Sequence, residues 1–230
     1  MSIESNIRAI NDRITAACAR AGRDPASVRL VAVSKTKPAE MVEEAYIAGQ
    51  TLFGESYAQE FSAKTEQVGA PVEWHFVGGL QTNKVKYLRG RTALIHSVDR
   101  LSLAKEIDRQ WGKLERKASV LIQLNLGGEA TKAGAGEADL GTLVRHVSAL
   151  PNIRICGLMT LPPYCPDPEE VRPYFRRLRE LAAGVAALAI PGVEMAELSM
   201  GMSHDFEVAV EEGATLVRVG TAIFGERIRR

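Results

Sequence analysis

The sequence predicts a single (β/α)8 TIM barrel over residues 1–230, with one extra helix at its N-terminal end. Three observations lead there. Eight short apolar, β-branched segments alternate with segments of helical periodicity, and strands separated by helices pair in parallel through right-handed crossovers. Eight such units fit within 230 residues, slightly fewer than the roughly 250 usual for a closed barrel. No G-x-G-x-x-G follows the first strand, which counts against a doubly wound open sheet, the alternative fold.

The leading helix, over 3–21, follows from Ile3, Ile7, Ile10, Ile14 and Ala17, which share one helical face, and Gly22 ends it. Strand one runs over 30–34. Pro38 opens the next helix where its missing N–H costs least, and Gly49 closes it. Strand two covers 51–54, with a helix reaching 67. Strand three covers 73–78, with a helix near 82–88. Strand four covers 93–98, with a helix over 100–117. Strand five covers 119–126, with a helix near 140–150. Strand six covers 153–160, with a helix over 168–189. Strand seven covers 194–200, with a helix over 204–212. Strand eight covers 216–219. No linker, repeat or low-complexity tract interrupts this rhythm, so one domain is expected.

The bulk numbers exclude several classes. A formal net charge of +1 gives no electrostatic case for nucleic acid or an anionic membrane. The polar, amphipathic N-terminus has no signal-peptide pattern. The longest apolar run, 181–190, is half a bilayer span and contains Gly184. Three cysteines without a CxxC pair suit a reducing cytoplasm. A monomer is expected.

The chemistry is concentrated at strand ends. In AVSKTKP, over 32–38, Lys35 closes strand one on the same face as Val31 and Val33. A lysine at a strand end commonly reaches out to water. In a barrel, however, the active site lies at the C-terminal strand ends. A desolvated amine there loses its proton more readily and attacks carbonyls. Strand seven runs into Ser199, Gly201 and Ser203, and strand eight into Gly220 and Thr221. These are either tight turns or a phosphate cradle, which such barrels build after strands seven and eight. Arg218 shares a face with Leu216 and Gly220, so it points into the barrel if Gly220 lines the mouth. There it takes either a carboxylate partner or the ring nitrogen of a ligand. An amine, a phosphate cradle and an inward arginine together match pyridoxal 5′-phosphate: aldehyde, phosphate and ring nitrogen.

Six stretches then carry a family resemblance along nearly the whole chain: VAVSKTKP at 31–38, FGESYAQE at 53–60, WHFVGGLQTNK at 74–84, LNLGGEATKAG at 124–134, GLMTLPP at 157–163 and LSMGMSHDFEVAVEEGATLVRVGTAIFG at 198–225. The chain resembles the YggS/PROSC-type pyridoxal phosphate homeostasis proteins, relatives of the barrel domain of alanine racemase. The resemblance implies the cofactor as an imine on Lys35, phosphate contacts around Ser199, Gly201, Gly220 and Thr221, and Arg218 near the ring nitrogen. It implies a cofactor-holding role with no dedicated turnover, and apo-enzymes of the same cofactor as partners. His75, within WHFVG, is expected to border the cofactor. Ser56, counted with the cofactor-binding positions, stands where the family usually has asparagine after FGE.

Other residues are assigned blander roles. His96 and His204, with His75, are expected to be hydrogen-bonded packing residues, because no metal-ligand spacing joins them. Cys156 is read as core, Asn125 as barrel-lining, Glu129 and Lys132 as loop charges, and the run 176–179 as a solvated helix face. The alternatives in function are an amino-acid racemase of the same cofactor and a Schiff-base aldolase. Racemisation needs a second base. The chain ends soon after strand eight, so Tyr57 or Tyr164 would have to supply it.

Overall fold

A computed structural model describes residues 2–129 and 133–226. Eight parallel strands close into one barrel in sequence order. They are β1 (Arg29–Val33), β2 (Leu52–Glu55), β3 (Glu73–Phe76), β4 (Leu94–Val98), β5 (Ala118–Leu124), β6 (Ile153–Thr160), β7 (Val193–Met202) and β8 (Leu216–Val219). The helices are α1 (Ile3–Arg20), α2 (Ala39–Ile47), α3 (Ala58–Gln67), α4 (Leu101–Gly112), α5 (Leu140–Ser148), α6 (Arg172–Ala186), α7 (Phe206–Glu211) and α8 (Thr221–Phe224). The barrel with an N-terminal helix is therefore as the sequence predicts.

Strand alternation divides the core in two. Val31, Val33, Leu52, Val77, Leu94, Leu121, Met159 and Leu216 fill the barrel interior, joined by Cys156. Strand residues of the opposite parity, such as Ala32, Phe53, Trp74 and Ile95, belong to the other core, under the helices. The helix after β8 is a single turn, too short to cover the seam between β8 and β1. The leading helix covers it: α1 packs on α7, α2 and α8, buries Ile3, Ile7, Ile10 and Ile14, and ties to α8 through Asn6 Nδ2 donating to the Ile223 carbonyl at 2.8 Å. Each isoleucine contributes roughly 1.5–3 kcal/mol through burial.

Several boundaries differ from the sequence reading. β1 stops at Val33, so Lys35 lies two residues beyond the strand, and Pro38 is the residue before the first helical position of α2. The segment at Thr82–Tyr87 is a 3-10 helix, and Pro168–Val171 is a separate 3-10 turn before α6. α4 ends at Gly112, where the chain turns through Glu115 at φ 54°. β7 continues past Met200 to Met202. No described helix is long and apolar enough to cross a membrane.

Candidate ligand site at the barrel mouth

A cavity of about 300 Å³ opens at the C-terminal ends of the strands, at the lower end of the roughly 300–1,000 Å³ typical of small-molecule sites. Its wall brings together Lys35 and Lys37 from the β1–α2 turn, Ser56 after β2, Ser203 after β7, Arg218 on β8, and Gly220 and Thr221 after it. Val33, Val77 and Leu161 supply its apolar side.

Lys35 is held by a braced turn. Ser34 N donates to the Gly54 carbonyl, and Lys37 N donates back to the Ser34 carbonyl, both at 3.0 Å. Thr36 adopts φ 64°, a left-handed conformation that an ordinary residue enters at a cost. Its N–H donates to Glu60 Oε1 at 2.6 Å. Beneath the turn lies Lys64, almost wholly buried. Its ammonium has three N–H donors and meets three acceptors: the Ser34 carbonyl at 2.8 Å, Glu55 Oε1 at 2.5 Å and Glu60 Oε1 at 2.8 Å. Ser34 Oγ also donates to Glu55 Oε1, at 2.7 Å. Burial pushes the Glu55 carboxyl up, against the opposing pull of Lys64 and Ser34, and Glu55 Oε2 has no hydrogen-bond partner among the described residues.

Arg218 forms the cavity floor. It is buried; Nη1 donates to Ser199 Oγ at 2.6 Å and Nη2 to the Thr160 carbonyl at 3.0 Å. Among the described residues it makes no ion pair with a carboxylate. Burial pulls its guanidinium down to about 10, so it remains a cation at neutral pH. Behind Ser199, on the side away from the cavity, His96 Nδ1 lies 2.8 Å from Ser199 Oγ, His96 Nε2 lies 3.0 Å from His75 Nδ1, and His75 Nε2 lies 2.9 Å from Glu73 Oε1. Burial lowers both imidazoles, His96 the further.

Three of the expected site residues, Ser199, His75 and Gly201, are not among those lining the cavity. Ser199 and His75 both point into the barrel interior below it, spent on the chain of contacts just described. Gly201 does not line it either. Its φ is 87°, and a Cβ there would stand 2.6 Å from Ala209 Cβ and 2.9 Å from Phe206 Cα, so glycine is required to let β7 turn onto α7. Gly201→Ala is expected to destabilise the protein by about 1–3 kcal/mol, read as a lowered urea midpoint. Lys35, Ser56, Arg218, Gly220 and Thr221 do meet at the wall.

Ser203, part of the possible cradle but not among the phosphate contacts the resemblance implies, lines the cavity. Gly220 N lies 3.4 Å and Thr221 Oγ1 3.3 Å from Ser203 Oγ. Its turn is closed by Asp205, whose Oδ1 accepts from Met202 N at 2.6 Å, while burial raises the Asp205 carboxyl. An aspartate two residues after a serine, just before a helix, was the available signal. His204, at the rim, stacks with exposed Tyr164 at 5.3 Å. Neither Tyr57 nor Tyr164 lines the cavity. Asn125 follows β5 and donates to the Glu129 carbonyl at 2.8 Å; Lys132 lies outside the described residues. Cys156 is core, as expected. Arg176 and Arg179 are half-exposed yet ion-paired with Glu212.

The closed parallel barrel thus gathers a lysine, an arginine and a Ser-Gly-Thr corner around one mouth. The chain belongs to the alanine racemase, N-terminal domain family, whose model matches residues 5–228. It is 51% identical over 217 residues to the pyridoxal phosphate homeostasis protein of Aquifex aeolicus (strain VF5), covering 94% of each chain. The structure of PipY from Synechococcus elongatus PCC7942 with PLP bound is similar at a TM-score of 0.81 and 39% identity, covering 94% of this chain and all of that one. Alanine racemase from Corynebacterium glutamicum shares the fold alone, at 16% identity and a TM-score of 0.71, over 98% of this chain and 60% of that one.

Proposed function

We propose that this protein binds pyridoxal 5′-phosphate at the barrel mouth as an imine on Lys35, and holds it reversibly in a cofactor-homeostasis role without dedicated turnover. The observation that carries this is the convergence of Lys35, Arg218 and the Ser203–Gly220–Thr221 corner on one cavity. The donor set fits the group. The Lys35 amine suits the aldehyde, with which it would condense with loss of water. The hydroxyls of Ser203 and Thr221 and the backbone at Gly220 suit a phosphate. Arg218, charged and with no carboxylate partner among the described residues, suits an acceptor nitrogen in the ring. A guanidinium stays protonated, so it donates to that nitrogen without protonating it, and this weakens the ring as an electron sink. Ser56, on the wall, takes the position of the family's asparagine and offers one hydroxyl in its place. The names of the relatives agree with this reading. Cytoplasmic location, a monomeric state and delivery to apo-enzymes complete it.

The test is the visible spectrum of purified protein supplied with pyridoxal 5′-phosphate. Wild type is expected to show a yellow imine band that borohydride bleaches, with the added mass on Lys35; Lys35→Ala is expected to show none. A wild-type protein that stays colourless overturns the reading. Loss of α-deuterium from L-alanine above the rate with free cofactor would instead establish turnover.

A further inference from the structure

We propose that Glu73, His75, His96 and Ser199 form a one-way hydrogen-bond relay through the barrel core that positions Arg218 toward the cavity. These four are positioning residues acting through the arginine, and their role toward the ligand rests on the pyridoxal phosphate reading above.

The two ends of the relay fix its direction. The Glu73 carboxylate only accepts, and the Arg218 guanidinium only donates. A neutral imidazole has one donor and one acceptor nitrogen. His75 therefore gives its Nε2 proton to Glu73 at 2.9 Å and accepts at Nδ1. His96 gives its Nε2 proton to His75 at 3.0 Å and accepts at Nδ1. Ser199 gives its hydroxyl proton to His96 at 2.8 Å, which leaves its lone pairs for Arg218 Nη1 at 2.6 Å. Moving the His96 proton to Nδ1 would set two lone pairs against each other at His75, or drive the His75 proton off the carboxylate. Protonating His96 would place a second buried cation beside Arg218. The neutral, one-way arrangement is the one that leaves no clash, and the lowered pKa of both imidazoles agrees with it.

The consequence lies at the cavity. A guanidinium has five N–H donors; Ser199 and the Thr160 carbonyl take two. Those two bonds set the plane and tilt of the group, and the remaining donors serve the cavity it lines. A carboxylate placed directly against Arg218 would orient it too, but it would neutralise the charge and compete with the ligand for those donors. The relay instead puts its only carboxylate at the far end, nearly half exposed and 3.6 Å from Arg29 Nη1. Arg29 in turn binds Glu197 at 2.7 Å. Successive bonds in such a chain polarise one another, so Glu73 reaches Arg218 through three neutral groups.

The experiment is two-bond ¹H–¹⁵N correlation of ¹⁵N-histidine-labelled protein without ligand. The four histidines are assigned by single substitution. At pH 7, His75 and His96 are expected as neutral Nε2–H tautomers. Ser199→Ala is expected to shift the His96 Nδ1 resonance and to weaken pyridoxal 5′-phosphate binding about tenfold or more, with Ser199→Thr restoring both. Glu73→Ala, a change at the exposed end that should fold, is expected to give mixed His75 tautomers and a severalfold weaker Kd across the width of the barrel. An Nδ1–H or cationic form of either histidine in wild type overturns the relay, even with tight binding. An unchanged His96 Nδ1 resonance and Kd in Ser199→Ala, or unchanged His75 tautomers and Kd in Glu73→Ala, overturn it too. The expected tautomers in a protein that takes up no pyridoxal 5′-phosphate overturn the functional reading and the relay's role toward that ligand.

Discussion

Lys64→Met is expected to destabilise the protein by about 3–5 kcal/mol, the range for breaking one side of a buried ion pair. It is also expected to cost the cavity most of its hold on an aldehyde, although Lys64 does not line it. The change leaves the Glu55 carboxylate buried without its cation. Burial already raises that carboxyl, so the stranded group would take up a proton. The three acceptors that Lys64 satisfies, at 2.5–2.8 Å, include the Ser34 carbonyl next to Lys35. Glu60, released from Lys64, would no longer hold Thr36 N and its left-handed φ of 64°. The turn that aims Lys35 would loosen. Urea unfolding reads the first effect; a visible-band titration with pyridoxal 5′-phosphate reads the second. Lys64→Met with Glu55→Leu is expected to recover part of the stability, because it removes both charges, but not the grip on Lys35. A single variant within 1 kcal/mol of wild type would show that the pair does not brace the turn.

The contrast between Lys64 and Lys35 shows where the sequence was legible. Lys35 is marked by its place just after an apolar strand, in the inward alternation of Val31 and Val33 as the sequence reads it, although the turn after β1 is what aims it at the mouth. Lys64 stands four residues after Glu60 on α3, the spacing of an ordinary solvent-facing helical pair. Nothing local says that a partner from β2 and the Ser34 carbonyl just after β1 close over it. The barrel was readable for the same reason as Lys35: period-two alternation and glycine-marked turns are local signals. What stayed hidden depends on how neighbouring strands are staggered. The pairing of β7 with β8 shifts between Ser199 and Met202, so β7 runs farther than its composition suggests. Ser199 then sits below the mouth and Ser203 at it. Likewise, His75 stands opposite Leu94, which puts His96 one inward step nearer the mouth than His75. The sequence places both histidines on inward faces, but only the register stacks them into contact.

The second large effect is expected at Glu212, outside the cavity, where α7 meets α6. Glu212 is nearly buried, and three arginines surround it: Arg172 at 3.2 Å, Arg176 at 2.9 Å and Arg179 at 3.2 Å. Glu212→Gln keeps the shape but leaves those guanidinium groups facing one another around a neutral amide. The expected loss is about 3 kcal/mol at pH 7. Burial pushes the Glu212 carboxyl up, but hydrogen bonds from Arg176 and Arg172 and the nearby positive charge outweigh it, so its native pKa lies below the ordinary 4.5. The sign follows from linkage. The stabilisation is complete above the unfolded value near 4.5 and disappears as pH falls through the lowered native value. Urea midpoints for wild type and Glu212→Gln should therefore differ most at neutral pH and converge as pH falls from 4.5 through the lowered native value. A gap that stays constant from pH 7 to 3 would assign the loss to packing. The link to the site is α7 itself. Its N-terminal side carries the Met202–Asp205 turn that presents Ser203, and its C-terminal end is clamped by Glu212, so weakening the clamp is also expected to weaken the hold on a phosphate at the mouth.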